Sequence, residues 1–203
     1  MTRSTLFTAA LFAAGLLLCL HGGPVRAETA ITTALVCKVQ NAIRWQERAW
    51  DTATCERVSA ALNATVDPVT LFAVCINESD LRPTAIDAVK PDVYDVGLCG
   101  VRCHVVAGKC ADGPARGLTL QQLFDPVRNI EIAAQVMAEK RAKLGRHYLR
   151  GYNGGTREHG YGAKIGVIAA ALGGARPVST KGLGHRLAEL LRRILMVTGE
   201  RKS

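Results

Sequence analysis

The chain shows no internal repeat, no strand-and-turn alternation, no paired Cys-x-x-Cys and, beyond its amino-terminal segment, no apolar run long enough to span a bilayer. Each absence closes a class. A solenoid needs the repeat, and a sandwich or barrel needs the alternation. A common structural zinc site needs the cysteine pairs. Acidic residues are also scarce, 17 against 26 Lys and Arg, for a formal net charge of +9. Such a balance favours an acidic polymer partner, and cell-wall glycan with peptide carboxylates, nucleic acid and anionic lipid all qualify. Nucleic acid ranks last, because no recognition module for it is visible.

What is present begins with a leader. Met1-Thr2-Arg3 is cationic, Ser4 to Leu20 is almost free of charge, and Val25-Arg26-Ala27 offers a small-residue cleavage site, which together make a secretory signal. Removing residues 1–27 leaves 176, which suits one domain. Arg3 and Arg26 go with the leader, so 24 basic residues then face 17 acidic ones, a balance of +7. The same run would act as a membrane anchor if it were kept, since a spanning helix needs roughly 20 apolar residues. Lipidation at Cys19 is disfavoured by bulky Leu18 before it. Export predicts a periplasmic or secreted protein, whose remaining cysteines, Cys37, Cys55, Cys75, Cys99, Cys103 and Cys110, form three disulfides. Spacing does not choose among the pairings. The competing reading gathers Cys99, Cys103, His104 and Cys110 into a metal knuckle.

Ile31, Leu35, Val39 and Ile43 recur at helical spacing and a set including Trp50 and Val58 follows, so helices are predicted between Ile31 and Leu62. Asp67-Pro68 reads as the cap and first position of a helix whose run from Val69 to Ile76 is apolar on nearly every side, and therefore buried. Residues 82–117, rich in Pro, Gly and Asp, predict a long irregular segment stapled by disulfides. Asp125-Pro126 opens another helix, with Ile130, Ala133, Met137 and Leu144 on one face and Gly145 at its end. His147 to Tyr152 runs into the turn signal Asn153-Gly154-Gly155, and Tyr161 to Leu172 reads as a helix of small residues.

In the tail, Leu183, Leu187, Leu190, Leu191 and Ile194 oppose Arg186, Glu189, Arg192 and Arg193 on an amphipathic helix. It either packs on the core or docks on a membrane or a cell-envelope protein. Clusters such as Lys140-Arg141-Ala142-Lys143 read as solvated helix faces. The chain thus divides into a leader (1–27), amino-terminal helices packing on the core (28–65), a central unit (66–174), and a linker with the tail helix (175–203). Its class is mainly α.

Glu78 is the residue type that carries chemistry. It follows directly on the buried helix, so its carboxyl is partly desolvated, and desolvation raises a carboxyl pKa. The unpaired carbonyls of the helix end disfavour a second negative charge nearby. A proton held near neutral pH is what a general acid needs. The plain alternative is a helix-end Glu paired with Arg82.

Val66-Asp67-Pro68 through Ile76-Asn77-Glu78-Ser79-Asp80-Leu81-Arg82-Pro83-Thr84-Ala85 resembles the helix and Glu-Ser motif of lytic transglycosylases. Gly97-Leu98-Cys99-Gly100-Val101 is similar to that family's Gly-Leu-Met-Gln segment. Gly117-Leu118, Leu123-Phe124-Asp125-Pro126 and Asn129-Ile130 resemble its next helix start, and Tyr152-Asn153 its Tyr-Asn pair. Each motif is weak alone; the ordered set, over roughly residues 66–172, is strong.

The resemblance implies a lysozyme-like fold of the goose type, with 66–174 as the catalytic domain and a disulfide-stapled loop. It implies that Glu78 protonates the glycosidic oxygen between N-acetylmuramic acid (MurNAc) and N-acetylglucosamine (GlcNAc) in peptidoglycan glycan strands. The same carboxylate then takes the C6 hydroxyl proton, closing a 1,6-anhydro ring without water, with no cofactor or metal. Ser79, Gly97, Leu98, Tyr152 and Asn153 would contact substrate. Cys99 and Gly100 depart from the family's Met and Gln, and Gly100 removes a polar contact. Two rivals remain: a hydrolytic muramidase, which a second carboxylate in the cleft would favour, and a glycan-binding scaffold, which Gly100 would favour.

Overall fold

The computed structural model describes residues 30–43, 48–152, 160–173 and 184–199, so the leader, Asn153 and the linker with Leu183 lie outside the described residues. Two helices open the fold. Helix α1 (Thr33–Ile43) buries Leu35, Val36, Val39 and Ile43 on one stripe. Helix α2 (Thr52–Asn63) starts where the Asp51 side chain accepts from the Thr54 N–H. The Cys37–Cys55 disulfide joins them.

Helix α3 (Pro68–Ser79) is the buried axis. Asp67 caps it by accepting from Thr70, Pro68 occupies the first turn, and Leu71 through Ile76 are all buried. Beyond it the expectation of an irregular segment fails. Residues 86–110 form a four-stranded antiparallel meander, β1 (Ile86–Lys90), β2 (Val93–Val96), β3 (Val101–Val106) and β4 (Lys109–Cys110), in sequential order. Its signal is faint because β1 is exposed at every position and β4 has only two residues. The turn between β3 and β4 has Ala107 at φ 50 and Gly108 at φ 76, the positive pair that a tight hairpin turn favours.

A short helix α4 (Leu120–Leu123) opens with a Thr119/Gln122 capping box. Helix α5 (Pro126–Leu144) follows an Asp125 cap and ends at Gly145, φ 53. Its inner face is Asn129, Ile130, Ile132, Ala133 and Met137, while Leu144, expected on that face, is 45% exposed in the last turn. A 3-10 turn (Gly145–His147) leads to α6 (Tyr148–Tyr152). Helix α7 (Tyr161–Leu172) packs against α3 and buries Tyr161, Ile165, Ile168, Ala171 and Leu172.

The tail forms α8 (His185–Gly199), which packs on α1 and α7 with Leu187, Leu190, Leu191 and Ile194 buried. Its apolar face is therefore used within the chain, so a membrane or envelope partner would meet only the polar face. The other two disulfides are Cys75–Cys99, from α3 to the loop after β2, and Cys103–Cys110, across β3 and β4. These bonds occupy all three cysteines of the alternative metal knuckle.

Candidate active site

Glu78 lies half-buried in the last turn of α3. The helix stops just after it: Asp80 turns left-handed at φ 53 with its N–H on the Ile76 carbonyl, and Leu81 follows at φ 59. A left-handed conformation costs an L-residue roughly 1–2 kcal/mol, so two in succession mark a turn held by its surroundings. Arg82 is engaged locally, its Nε donating to the Ser79 carbonyl at 2.9 Å.

The partner of Glu78 is Tyr161, the first residue of α7. Its hydroxyl donates to Glu78 Oε1 at 2.5 Å, which leaves Oε2 beside Gly100. A Cβ built on Gly100 would stand 3.1 Å from Oε2 and 3.1 Å from the Glu78 Cβ, and Gly100 has φ +61. The absent side chain is thus the space in which the carboxyl sits. Glu78, Asp95, Gly100, Val101, Arg102, Val136 and Tyr152 line one open pocket. A larger apolar groove, ≈ 690 Å³, lies at the other end of α3 around Val66, Asp67 and Leu71, away from the acid.

Asp95 on β2 and Arg102 on β3 face each other in register. Arg102 Nε donates to Oδ1 at 2.6 Å and Nη2 to Oδ2 at 2.9 Å, so both Asp95 oxygens are engaged. Burial is the main influence on the Glu78 carboxyl and pushes it above the ordinary carboxylate range. Hydrogen bonds from Tyr161 and Asn77 act in the opposite direction, the Asp95 charge pushes it further up, and Arg102 draws it down. The Tyr161 and Tyr152 hydroxyls are pushed well above the usual phenol range, chiefly by burial and next by the Glu78 charge, and stay protonated donors.

Of the residues expected to contact substrate, Tyr152 lines the pocket, and its hydroxyl donates to the Cys99 carbonyl at 2.8 Å. Ser79 faces the other way. It is 1% exposed, and its hydroxyl donates to the Leu98 carbonyl at 2.5 Å and accepts from the Arg82 N–H. Leu98 is buried as well. At Gly97 (φ +77) a Cβ would come within 2.2 Å of Asn129 Nδ2 and 2.4 Å of the Leu123 carbonyl. Gly97 and Leu98 thus form the inside of the cleft wall, whose pocket side is lined by Gly100 and Val101. Asn153 lies outside the described residues.

Sequence reasoning missed Tyr161, read only as a helix start, and Arg102. Asp95 was weighed only as one of several acids beside the loop. Asn129, noted only within a motif, is fully buried and holds the wall: Nδ2 donates to the Val96 and Leu123 carbonyls, and Oδ1 accepts from the Cys99 N–H.

A helical domain with a small antiparallel sheet, and a half-buried Glu ending its central helix beside that sheet, is a lysozyme-like arrangement. Residues 58–164, just over half of the chain, match the Transglycosylase SLT domain, and the chain belongs to that family. Its function is therefore of the transglycosylase type and related to peptidoglycan, on which the family acts outside the cytoplasm. No curated protein and no solved structure matches. Among the described residues no helix is long and apolar enough to cross a membrane.

Proposed function

We propose that the protein is an exported lytic transglycosylase that cleaves the MurNAc–GlcNAc β-1,4 bond and leaves a 1,6-anhydroMurNAc end, with Glu78 as acid and then base. One observation carries this reading: Glu78 is a half-buried carboxyl with one oxygen held by Tyr161 and the other at the pocket. The Glu78 carboxyl, pushed up by burial, delivers its proton from Oε2 to the glycosidic oxygen. The C1–O bond breaks, GlcNAc leaves with a free 4-hydroxyl, and the positive charge at C1 is shared with the ring oxygen and the N-acetyl carbonyl. Glu78, now a carboxylate, takes the proton of the C6 hydroxyl as O6 bonds to C1. No water is consumed, and Glu78 ends as it began.

Tyr152 supports the sugar at the pocket mouth, and Asn153 remains a proposed substrate contact. Ser79, Gly97 and Leu98 serve the site by holding the wall. Gly100 argues against a loss of turnover, since its missing side chain accommodates the acid.

Hydrolysis is the second reading, because Asp95 is another carboxylate in the same pocket. A general base must offer water an oxygen, and a water at Asp95 would have to share its oxygens with the Arg102 guanidinium, which engages both. The test is product chemistry. Muropeptides released from purified wall should resist borohydride reduction; reducible ends would mean hydrolysis. Glu78→Gln should keep the fold and lose more than the roughly 10²–10⁴-fold that general acid catalysis supplies alone, because both proton transfers fail.

A further inference from the structure

The family match begins at residue 58, after α1, and ends at residue 164, before α8. These two outlying helices pack on each other, and Arg193 of α8 donates to the Ala42 carbonyl in α1 at 3.2 Å. Helix α8 also packs on α7, whose first residue holds Glu78. From its first turn Arg186 reaches across the sequence to Asp80, Nη2 to Oδ2 at 2.5 Å. Asp80 is two residues beyond Glu78 and only 6% exposed, whereas the Arg186 side chain is 65% exposed. His185, Glu189 and Arg193 line the same hollow, with Glu189 engaged by Arg192 and Arg193.

We propose that Arg186 is a positioning residue for the catalytic acid, and that α1 and α8 together form a clasp, added to the family domain, that fixes the turn after Glu78. The proposal rests on Glu78 being the acid. The physical need comes from the turn itself, which combines two left-handed L-residues with a buried carboxylate. A charged partner helps to keep a buried carboxylate where it is. Removing Arg186 takes away a charged contact of Asp80, which loosens the left-handed turn and lets the last turn of α3 shift with it. Glu78 then leaves its bond to Tyr161 and its close fit against Gly100. The surface exposure of Arg186 makes a large loss of global stability unnecessary. The effect falls on where one proton is delivered.

The experiment compares wild type, Arg186→Gln, Arg186→Lys, Asp80→Asn/Arg186→Gln and Glu78→Gln in the full, disulfide-bonded protein acting on solubilised glycan strands. Misplacing a reacting group by about 1 Å can cost about a hundredfold, so Arg186→Gln is expected to lower kcat between about tenfold and a hundredfold. KM should stay within about twofold and far-ultraviolet circular dichroism should be unchanged. Lys should restore most of kcat, and the double variant should be no worse than Arg186→Gln. The alkaline limb of the Arg186→Gln rate profile should move, since Glu78 loses both burial, which raises its pKa, and the Tyr161 bond, which lowers it.

Wild-type kcat and pH profile in Arg186→Gln would overturn the proposal. So would a loss of rate matched by lost circular dichroism and not restored by Lys. If Glu78→Gln is inactive while Arg186→Gln is fully active, the clasp alone fails. If Glu78→Gln keeps turnover, the acid assignment itself fails.

Discussion

Installing a side chain at Gly100 is the substitution for which resemblance and geometry give opposite answers. The family pattern has Gln there, so Gly100→Gln should improve substrate binding if the missing amide is a defect. The structure predicts the reverse. With φ +61, Ala or Gln at this position pays roughly 1–2 kcal/mol of left-handed strain. Replacing glycine also restricts the unfolded chain, which returns about 0.4–1 kcal/mol. The net loss is then about 1 kcal/mol, and for a chain of this size that lowers Tm by about 2–4 °C.

The catalytic effect should be larger than the stability effect. The new Cβ meets Glu78 Oε2 at 3.1 Å, which the flexible end of the side chain relieves by moving, and the Glu78 Cβ at 3.1 Å, which only a small shift of α3 relieves. A shift of a few tenths of an ångström in the proton donor should cost about tenfold in kcat, by proportion with the roughly hundredfold cost of 1 Å. Gly97→Ala is the contrasting case. Its Cβ would overlap Asn129 and a backbone carbonyl at 2.2 and 2.4 Å, so stability should fall by 3 kcal/mol or more, at the severe end for single substitutions, roughly. Calorimetry and turbidity clearing of purified wall measure both. A Gly100→Gln protein that clears wall faster than wild type would refute the reasoning.

Other outcomes follow from the same geometry. Tyr161→Phe removes a hydrogen bond that lowers the Glu78 pKa, so the alkaline limb should move up in pH while kcat falls about tenfold from the freed carboxyl, less than the roughly 10²–10⁴-fold of losing proton transfer itself. Asp95→Asn and Arg102→Gln should shift that limb in opposite directions, down for Asp95 and up for Arg102, because one charge raises the Glu78 pKa and the other lowers it. A general acid must be protonated, so in each variant rate is lost as pH rises through the shifted value; parallel shifts in rate profiles of the two would count against the electrostatic account. Denatured, unreduced protein should show no free thiol among Cys37, Cys55, Cys75, Cys99, Cys103 and Cys110 on titration.

The helices were legible because their signals are local. Asp67-Pro68 and Asp125-Pro126 each place a cap and a preorganised first residue side by side, and the structure starts α3 and α5 there. Most of the sheet was not legible: β1 is exposed throughout and β4 has two residues, and only β3 carries an inward-outward alternation, over too few residues to mark a sheet by itself. Leu144 was misplaced because periodicity continues to the end of a helix even where the partner surface has stopped. The Asp95–Arg102 pair depends on strand register, and register was hidden along with the sheet. Tyr161 became visible only when α7 was docked against α3, since nothing in its own neighbourhood distinguishes it from any tyrosine opening a helix.

The motif residues divide by a rule that residue type alone does not supply. The segment from Gly97 to Gly100, between β2 and β3, has no ladder of its own, yet much of it is buried, so its backbone groups need partners from elsewhere. The Val96 carbonyl and the Cys99 N–H go to Asn129, the Leu98 carbonyl goes to Ser79, the Cys99 carbonyl goes to Tyr152, and the Gly97 N–H goes to the Ala85 carbonyl. Motifs far apart in the chain therefore converge on one loop, and most of their polar atoms are engaged before any sugar arrives. Cys99, where the resemblance leads one to expect Met, adds a covalent tie to Cys75, one turn of α3 before Glu78. The loop that presents Gly100 and the helix that presents the acid are thereby joined at the point where their separation matters. A polar residue that is itself buried is more readily a brace than a substrate contact, and Ser79, buried between Glu78 and the strained turn, is the brace nearest the chemistry.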